Sequence, residues 1–334
     1  MSGTPPAAKA EQMAAGQPRI PLTLPESFMI GGLAGCAAVT VTNVAETMKT
    51  RLQLQGELVK ADANVEKVYK NVFDVFKKTW KNEGIRGLQR GLFPAYGYQI
   101  LLNGSRLGFY EPVRHVLNRA IGRNPDDVIF GTAITAGAIT GCIGACLGSP
   151  LFLIKARMQA YSPALPVGTQ HYYRNSYDAM QKIVATDGVR GLWRGVSAAI
   201  LRTCCGSAVQ LPSYNYTKTV LSNYGIIDPN SFWMYMAASS VSGVVVCAAM
   251  QPADTVLTRM YNQPIIVDPV TGKRRGALYT NPFDCLWKTA KTEGVLGWYK
   301  GTTAHFLRIA PHTIITLVAN ELIGKEYKKW TGRG

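Results

Sequence analysis

The stretch Glu83-Gly84-Ile85-Arg86-Gly87-Leu88-Gln89-Arg90-Gly91 decides the organisation of this chain, because the sequence repeats it twice. The copies are Asp187-Gly188-Val189-Arg190-Gly191-Leu192-Trp193-Arg194-Gly195 and Glu293-Gly294-Val295-Leu296-Gly297-Trp298-Tyr299-Lys300-Gly301. The three copies of this glycine phrase start at residues 83, 187 and 293, so they divide the 334 residues into three similar units. The period is longer than the roughly 20–50 residues of solenoid repeats, and it indicates three homologous modules about a pseudo-threefold axis.

The composition indicates a membrane protein that binds anions or faces anionic lipid. The chain is 47% hydrophobic and only 17% charged, yet its formal net charge is +16. Nucleic-acid-binding proteins can show the same excess, but here the basic residues recur beside apolar segments, so no nucleic-acid partner is expected. The seven cysteines contain no C-x-x-C pair, which argues against a secreted disulfide framework. With only four histidines, the sequence predicts no metal site.

Each unit contains two long apolar segments, which predict six transmembrane helices. They span residues 27–55, 91–118, 128–160, 195–221, 231–262 and 301–326. Each exceeds the roughly 20 residues that cross a bilayer. Polar residues interrupt every segment, which predicts a shared polar interior. Six crossings place both termini on the same side of the membrane.

The polar stretches between paired segments predict short amphipathic surface helices, such as the one that contains Val72-Phe73-Asp74-Val75-Phe76-Lys77-Lys78. The predicted fold is therefore an all-α membrane protein with three repeats. We expect the repeats at residues 26–122, 123–225 and 226–334, after a disordered tail over residues 1–25. Small residues, among them Gly137, Gly141 and Gly144, predict close helix packing.

A second motif closes the first helix of each repeat. It reads Val44-Ala45-Glu46-Thr47-Met48-Lys49-Thr50-Arg51, Pro150-Leu151-Phe152-Leu153-Ile154-Lys155-Ala156-Arg157 and Pro252-Ala253-Asp254-Thr255-Val256-Leu257-Thr258-Arg259. Together with the glycine phrase, it resembles the mitochondrial carrier family over residues 27–326. The stretches 102–112, 148–153, 209–212 and 308–313 resemble members that carry oxaloacetate. The resemblance implies a monomeric, alternating-access transporter of the mitochondrial inner membrane, with both termini toward the intermembrane space.

The resemblance also implies a matrix gate in which an acid of one repeat pairs with a base of the next. The implied pairs are Glu46–Lys155 and Asp254–Lys49. Phe152 and Leu257 take the places of the third pair. Because both partners are apolar, no isolated charge is buried. The missing proline at Val44 makes a kink in that helix uncertain.

A cytoplasmic gate is implied near the ends of the second helices. Its pairs are Glu111–Lys218 and Glu321–Arg114, and Asn215 and Gly324 replace the third. Two ionic pairs per gate predict gates that open more easily than gates with three. The alternative is that these residues are ordinary interfacial charges.

Arg202 and Arg308 are the predicted substrate contacts. With Tyr98, they lie seven residues after the last glycine of each phrase, about 10 Å into the membrane. Two guanidinium groups that face one cavity can bind two carboxylates or a sulfate-like dianion. Tyr98 supplies a hydroxyl in place of a third charge, which argues against nucleotide phosphates. The alternative is that both arginines are structural and bond backbone carbonyls.

Other polar residues have two interpretations each. Gln99, Asn103 and Arg106 share one helix face, where they either line the cavity or bond neighbouring helices. His305 and His312 flank Arg308 and either couple a proton to the anion or satisfy helix contacts.

The last two residues of each phrase predict lipid sites, because amides at a helix N-terminus bind phosphate. In the family such sites hold cardiolipin. The implied residues are Arg90, Gly91, Arg194, Gly195, Lys300 and Gly301. No other cofactor is expected.

The sequence therefore predicts a transporter of small dianions of the oxaloacetate, sulfate, malonate or isopropylmalate type, working by exchange or proton symport. A carrier of other dicarboxylates, such as malate or succinate, is the alternative. An enzyme is disfavoured because no nucleophile–base pair, metal cluster or nucleotide loop is recognisable. A scaffold would not need arginines at equivalent depths in the membrane.

Overall fold

A computed structural model describes residues 23–59, 67–125, 127, 129–225, 232–267 and 274–331, and six long helices dominate these residues. They are α1 (Leu24–Leu54), α3 (Leu92–Ala120), α4 (Phe130–Ala160), α6 (Val196–Asn223), α7 (Phe232–Asn262) and α9 (Thr302–Trp330). Three shorter helices join the long pairs: α2 (Val72–Leu88), α5 (Ser176–Asp187) and α8 (Pro282–Glu293). The all-α, three-repeat prediction is confirmed.

The long helices lie close to their predicted bounds, but they differ in polarity. Four described segments are long and apolar enough to cross a membrane: residues 28–54, 131–160, 240–262 and 295–330. Helices α3 and α6 fall short of that hydropathy because they carry polar side chains such as Gln99 and Arg202. Helix α1 begins at Leu24, inside the predicted tail, and residues 1–22 lie outside the described part of the chain.

The glycine phrase forms the same turn in all three repeats. Its second residue has a positive φ, from 63° at Gly84 to 74° at Gly294, and its last residue lies in the left-handed region just before the next long helix. Side chains other than glycine rarely adopt these angles. The middle glycine makes room for the acid of the phrase, since a Cβ at Gly87 would lie 2.3 Å from Glu83 Cβ. The phrase therefore sets where each second helix begins.

Among the described residues, a two-stranded hairpin departs from the all-α prediction. Strand β1 (Ile265–Val267) pairs antiparallel with β2 (Arg274–Gly276) in the loop after α7. Residues 268–273, between the two strands, lie outside the described residues.

The first helices of the repeats pack together where they end. We call the region formed by residues 42–54, 149–160 and 251–263 the convergent end, because most buried charged side chains lie there. Glycines allow close approach of the helices: a Cβ at Gly141 would lie 2.6 Å from Thr203, and one at Gly144 would lie 3.1 Å from Leu102. A Cβ at Gly137 would meet none of the described side chains within 4 Å, so this glycine is not needed for close approach in the described part of the chain.

Candidate functional site

Two buried ion pairs link the first helices at the convergent end. Lys155 Nζ lies 2.5 Å from Glu46 Oε2, and Lys49 Nζ contacts Asp254 Oδ2. All four side chains are less than a tenth exposed. Glu46 and Lys49 are three residues apart, so neighbouring turns of α1 present an acid to α4 and a base to α7. The structure thus brings together both predicted matrix-gate pairs.

Two glutamines that the sequence analysis did not identify lie beside these pairs, and one of them bonds a gate acid. Gln53 donates to Asp254 Oδ2 over 3.1 Å and accepts from Thr258 over 2.7 Å. Gln159 donates to Asn43 Oδ1 over 2.9 Å. Each glutamine lies two residues after the last arginine of its motif, so the repeat spacing carried a usable signal.

The apolar pair, Phe152 and Leu257, lies in an aromatic cluster. The Phe152 ring lies 4.8 Å from the Tyr98 ring and 5.5 Å from the Tyr261 ring, measured between centroids. Both members of the pair line a small cavity that Arg202 also borders. The third pair of the predicted matrix gate is therefore apolar, and the guanidinium of Arg202 lies at its edge.

The two predicted substrate arginines reach the acids of the ion pairs. Arg202 Nε donates to Asp254 Oδ1 over 2.8 Å, and Arg308 Nε lies 3.4 Å from Glu46 Oε1. Their side chains remain 17% and 15% exposed. Each arginine has its acid on a helix of another repeat, so the sequence of its own segment could not identify that acid. These contacts favour a role at the site over bonds to backbone carbonyls.

The balance of charge at this centre is positive. Four cationic side chains, Lys49, Lys155, Arg202 and Arg308, surround only two acids, Glu46 and Asp254. The formal excess is therefore two positive charges. A dianion bound beside the arginines would neutralise the centre, which reduces the electrostatic cost of burying it.

His312 is hydrogen-bonded as a neutral ring. Thr42 donates its hydroxyl to the Ala38 carbonyl, so Thr42 Oγ1 accepts from His312 Nδ1 over 3.2 Å. His312 Nε2 is then free to accept from the Gln99 amide over 3.3 Å.

His305 has a similar arrangement. Gln251 donates its amide to the Lys300 carbonyl, so Gln251 Oε1 accepts from His305 Nδ1 over 2.7 Å. In this conformation both histidines satisfy contacts between helices.

The remaining predicted cavity residues on α3 pack against other helices. Tyr98 is 8% exposed and contacts Phe152, while Gln99 bonds His312 of α9. Asn103 lies against Gly35 of α1, because a Cβ at Gly35 would lie 2.5 Å from Asn103 Nδ2. The side chain of Arg106 lies outside the described part of the chain.

The predicted cytoplasmic-gate residues do not meet across helices where their side chains are described. Glu111 forms its ion pairs with Arg114, at 2.5 Å, and with His115, at 3.4 Å, both on its own helix α3. The structure does not bring Glu111 and Lys218 together. The side chains of Glu321 and Asn215 are outside the described set, and Gly324 faces open space.

A second layer of ion pairs involves the acid of each glycine phrase. In the first repeat Arg51 binds Glu83 through two nitrogens, at 2.7 and 3.0 Å. In the third, Arg259 binds Glu293 in the same way, at 2.6 and 2.8 Å. Burial alone would raise the pKa of Glu83, but the hydrogen bonds from Arg51 hold that pKa below its usual value.

The second repeat departs from this pattern. Asp187 is one methylene shorter, and Arg157 binds Tyr261 O and Tyr173 Oη instead of the acid. Asp187 contacts Arg274 of the hairpin at 3.1 Å and Arg194 at 3.6 Å. This acid is therefore held more loosely than its two equivalents.

The predicted lipid-site bases mostly bind protein. Arg90, Arg194 and Lys300 each contact the acid of their own phrase, and Lys300 Nζ also donates to the Gln55 carbonyl. Arg90 and Gly91 border a groove of about 380 Å³ between the N-terminal ends of α3 and α5, together with Arg174. Gly195 and Gly301 precede α6 and α9.

Comparison with known proteins gives consistent matches along the chain. The family model described as "Mitochondrial carrier protein" matches residues 21–120, 127–225 and 228–329. The chain is 49% identical to the mitochondrial citrate transporter E of Aspergillus niger, over 92% of this chain and 95% of that protein. It is 48% identical to the mitochondrial oxaloacetate transport protein of Schizosaccharomyces pombe, over 91% of each chain. The Saccharomyces cerevisiae protein of that name is also 48% identical, over 88% of this chain and 87% of that protein.

Proposed function

This chain belongs to the mitochondrial carrier family, and we propose that it moves small dianions across the mitochondrial inner membrane. Membership confirms the resemblance carried by the glycine phrase and the second motif, and it indicates a transporter and not an enzyme. The relatives named as oxaloacetate transport proteins support a dicarboxylate-type anion as the substrate.

The observation that carries the proposal is the excess of two positive charges at the centre. Of the four cationic side chains, Arg202 and Arg308 are the most exposed, so an entering anion meets them first. Oxaloacetate, malonate and sulfate each carry two negative charges and match that excess. A bidentate guanidinium contact suits a carboxylate or a sulfate equally well.

The apolar pair beside Arg202 supports tolerance of a substituent on the dianion. Phe152 and Leu257 lie close to Arg202, so a branched alkyl group of the isopropylmalate type would lie against apolar atoms once the site opens to admit it. Malate and succinate satisfy the same charge rule and remain the alternative substrates. Citrate, named for the Aspergillus relative, is a second candidate. Its third carboxylate would face Tyr98 where the other repeats have an arginine.

The convergent end is proposed as the matrix gate in its closed state. The joined pairs Glu46–Lys155 and Asp254–Lys49, together with the separation of Glu111 from Lys218, support alternating access from the cytoplasmic side. Both termini would then face the intermembrane space. The hydrogen bonds that hold His305 and His312 against other helices support exchange without a proton carried by these rings.

The groove beside Arg90 and Gly91 is proposed to hold a phospholipid head group such as that of cardiolipin. Two helix N-termini and Arg174 favour phosphate there. The carrier is proposed to act as a monomer, because its three repeats already form one central site.

A competition panel tests the substrate proposal. Purified carrier in liposomes takes up labelled sulfate while unlabelled oxaloacetate, malonate, isopropylmalate, malate, succinate or citrate is added in turn. We expect strong competition from the first three and weaker competition from citrate. Absence of uptake for sulfate and every labelled dicarboxylate would contradict the proposal.

A further inference from the structure

The gate at the convergent end has three seams, one between each pair of repeats. Glu46–Lys155 crosses the seam between the first and second repeats, and Asp254–Lys49 crosses the seam between the third and first. At the seam between the second and third repeats, Phe152 and Leu257 replace the ion pair. By the family pattern alone, this third seam has no ionic link.

Arg202 supplies a charged contact across that seam. It belongs to the second repeat, and its Nε donates over 2.8 Å to Asp254 of the third repeat. The other oxygen of Asp254 binds Lys49 and Gln53 of the first repeat. The carboxylate of Asp254, in the third repeat, therefore binds side chains of both the first and the second repeat.

Glu46 has a comparable position. Its Oε2 binds Lys155 of the second repeat, and its Oε1 lies 3.4 Å from Arg308 of the third. The two arginines expected to bind substrate are thus bound by the two gate acids in the closed carrier.

We propose that Arg202 is the third ionic link of the gate, and that Asp254 determines specificity by competing with the substrate for this arginine. The inference rests on the proposed function, because the competing ligand is the transported dianion. An anion that binds Arg202 withdraws it from Asp254 and removes the ionic contact of the gate across the third seam, where Phe152 and Leu257 take the place of an ion pair. Opening of the gate is thereby coupled to occupation of the site.

The same geometry explains a requirement for two charges. A monoanion binds one arginine and leaves the other bound to its acid. Either the Arg202–Asp254 contact or the Arg308–Glu46 contact therefore persists. A dianion takes Arg202 from Asp254 and Arg308 from Glu46 together. Only the dianion therefore removes both links, and it does so without leaving either arginine unpaired.

A double-mutant cycle in the empty carrier tests the link. The apparent unfolding temperature is measured for wild type, Arg202→Gln, Asp254→Asn and the double variant in chloride. We expect Arg202→Gln to lower it by about 3 °C, and to lower it by less than half as much when Asp254 is already Asn. The control cycle pairs Arg202→Gln with Glu111→Gln at the opposite end and should be additive. Additive losses in the first cycle would overturn the proposal.

A second experiment distinguishes loss of the link from general misfolding of the Arg202→Gln variant. In the carrier with Phe152→Asp and Leu257→Lys, the third seam has its own pair and no longer depends on Arg202. Arg202→Gln should then lower the unfolding temperature by less than half of its effect in wild type. An undiminished effect would overturn the assignment of Arg202 to that seam.

Competition is tested by repeating the first cycle in sulfate and in acetate at equal ionic strength. Coupling between Arg202 and Asp254 should fall at least by half in sulfate and persist in acetate. Equal coupling in the two salts, in a carrier that takes up sulfate, would overturn the competition while leaving the proposed transport intact. A carrier that shows the coupling but takes up no dianion would instead overturn the proposed function.

Discussion

Lys155 and Glu46 form a buried ion pair that joins α4 to α1, with Nζ 2.5 Å from Oε2 and side chains 3% and 8% exposed. Removal of one partner strands the other charge in a region with little water. Removal of both partners avoids that penalty, since apolar or neutral replacements of buried pairs are often tolerated. The pair therefore offers a direct test of the proposed matrix gate.

The first prediction concerns this pair. Glu46→Gln and Lys155→Gln should each lower exchange and the apparent unfolding temperature. The double variant should recover part of both losses, because it removes the stranded charge. Exchange rates in liposomes and unfolding curves of the four proteins measure the coupling. Losses that simply add would show that the two residues do not cooperate in the gate.

The second prediction concerns the substrate arginines. Arg202→Ala and Arg308→Ala should each reduce uptake at least a hundredfold, because each removes a charge-assisted contact to a desolvated dianion. Arg119→Ala, which changes an exposed arginine near the end of α3, is the matched control and should leave uptake unchanged. Folding is checked by circular dichroism. Normal uptake by both site variants would contradict the proposed clamp.

The third prediction concerns the apolar seam. Phe152→Asp with Leu257→Lys should raise the stability of the closed carrier relative to Phe152→Asp alone, which places an unpaired acid in an aromatic cluster. A more stable closed gate should slow exchange, because the gate must open in each cycle. Unfolding temperatures and initial exchange rates of the single and double variants are the measurements. A double variant no more stable than Phe152→Asp would show that positions 152 and 257 are not partners.

The fourth prediction concerns the hairpin. Arg274 lies 3.1 Å from Asp187, whose side chain is only 2% exposed, so this contact links the second and third repeats. Arg274→Gln should lower the apparent unfolding temperature by about 2 °C, and the effect of salt on stability should decrease. Arg275→Gln alters the exposed neighbour on the same strand and should change neither. Equal behaviour of the two variants would contradict a specific role for Arg274.

The fifth prediction concerns Glu57, in the turn after α1. Burial raises its pKa to about 7, and its buried Oε1 accepts no hydrogen bond within the described part of the chain. Because the folded chain then holds a proton that the unfolded chain releases near pH 4.5, stability should fall as the pH rises from about 4.5 to 7. Glu57→Gln should therefore unfold at a higher temperature than wild type at pH 8, with the difference shrinking toward pH 4.5.

Glu326→Gln is the control for that experiment, because Glu326 is 66% exposed on α9. It should follow the pH profile of wild type. A Glu57→Gln variant with the wild-type profile would show that this carboxyl does not titrate in the window.

Much of the fold could be predicted because the information is local and repeated. Two glycines of each phrase require positive φ, so the phrase fixes where α3, α6 and α9 begin. The predicted gate pairs followed from equal spacing in the three repeats. The hairpin around Arg274 has no counterpart among the described residues of the other repeats, and repetition therefore gave no signal for it.

The site was predicted less completely because its contacts cross between repeats. The depth of Arg202 indicated a polar role, but its contact with Asp254 depends on how α6 packs against α7. Periodicity within one helix carries no information on that placement. The separation of Glu111 from Lys218 likewise depends on the conformational state, which a sequence shared by all states does not specify.

Counterflow exchange tests the central claim most directly. Liposomes that contain the purified carrier are loaded with unlabelled oxaloacetate and placed in a trace of labelled oxaloacetate, with a monocarboxylate in a parallel set. We predict transient accumulation of labelled oxaloacetate above its equilibrium level, no accumulation of the monocarboxylate, and loss of the signal in Arg202→Ala. Equal accumulation of the monocarboxylate, or an unchanged signal in Arg202→Ala, would contradict a carrier that recognises dianions through its paired arginines.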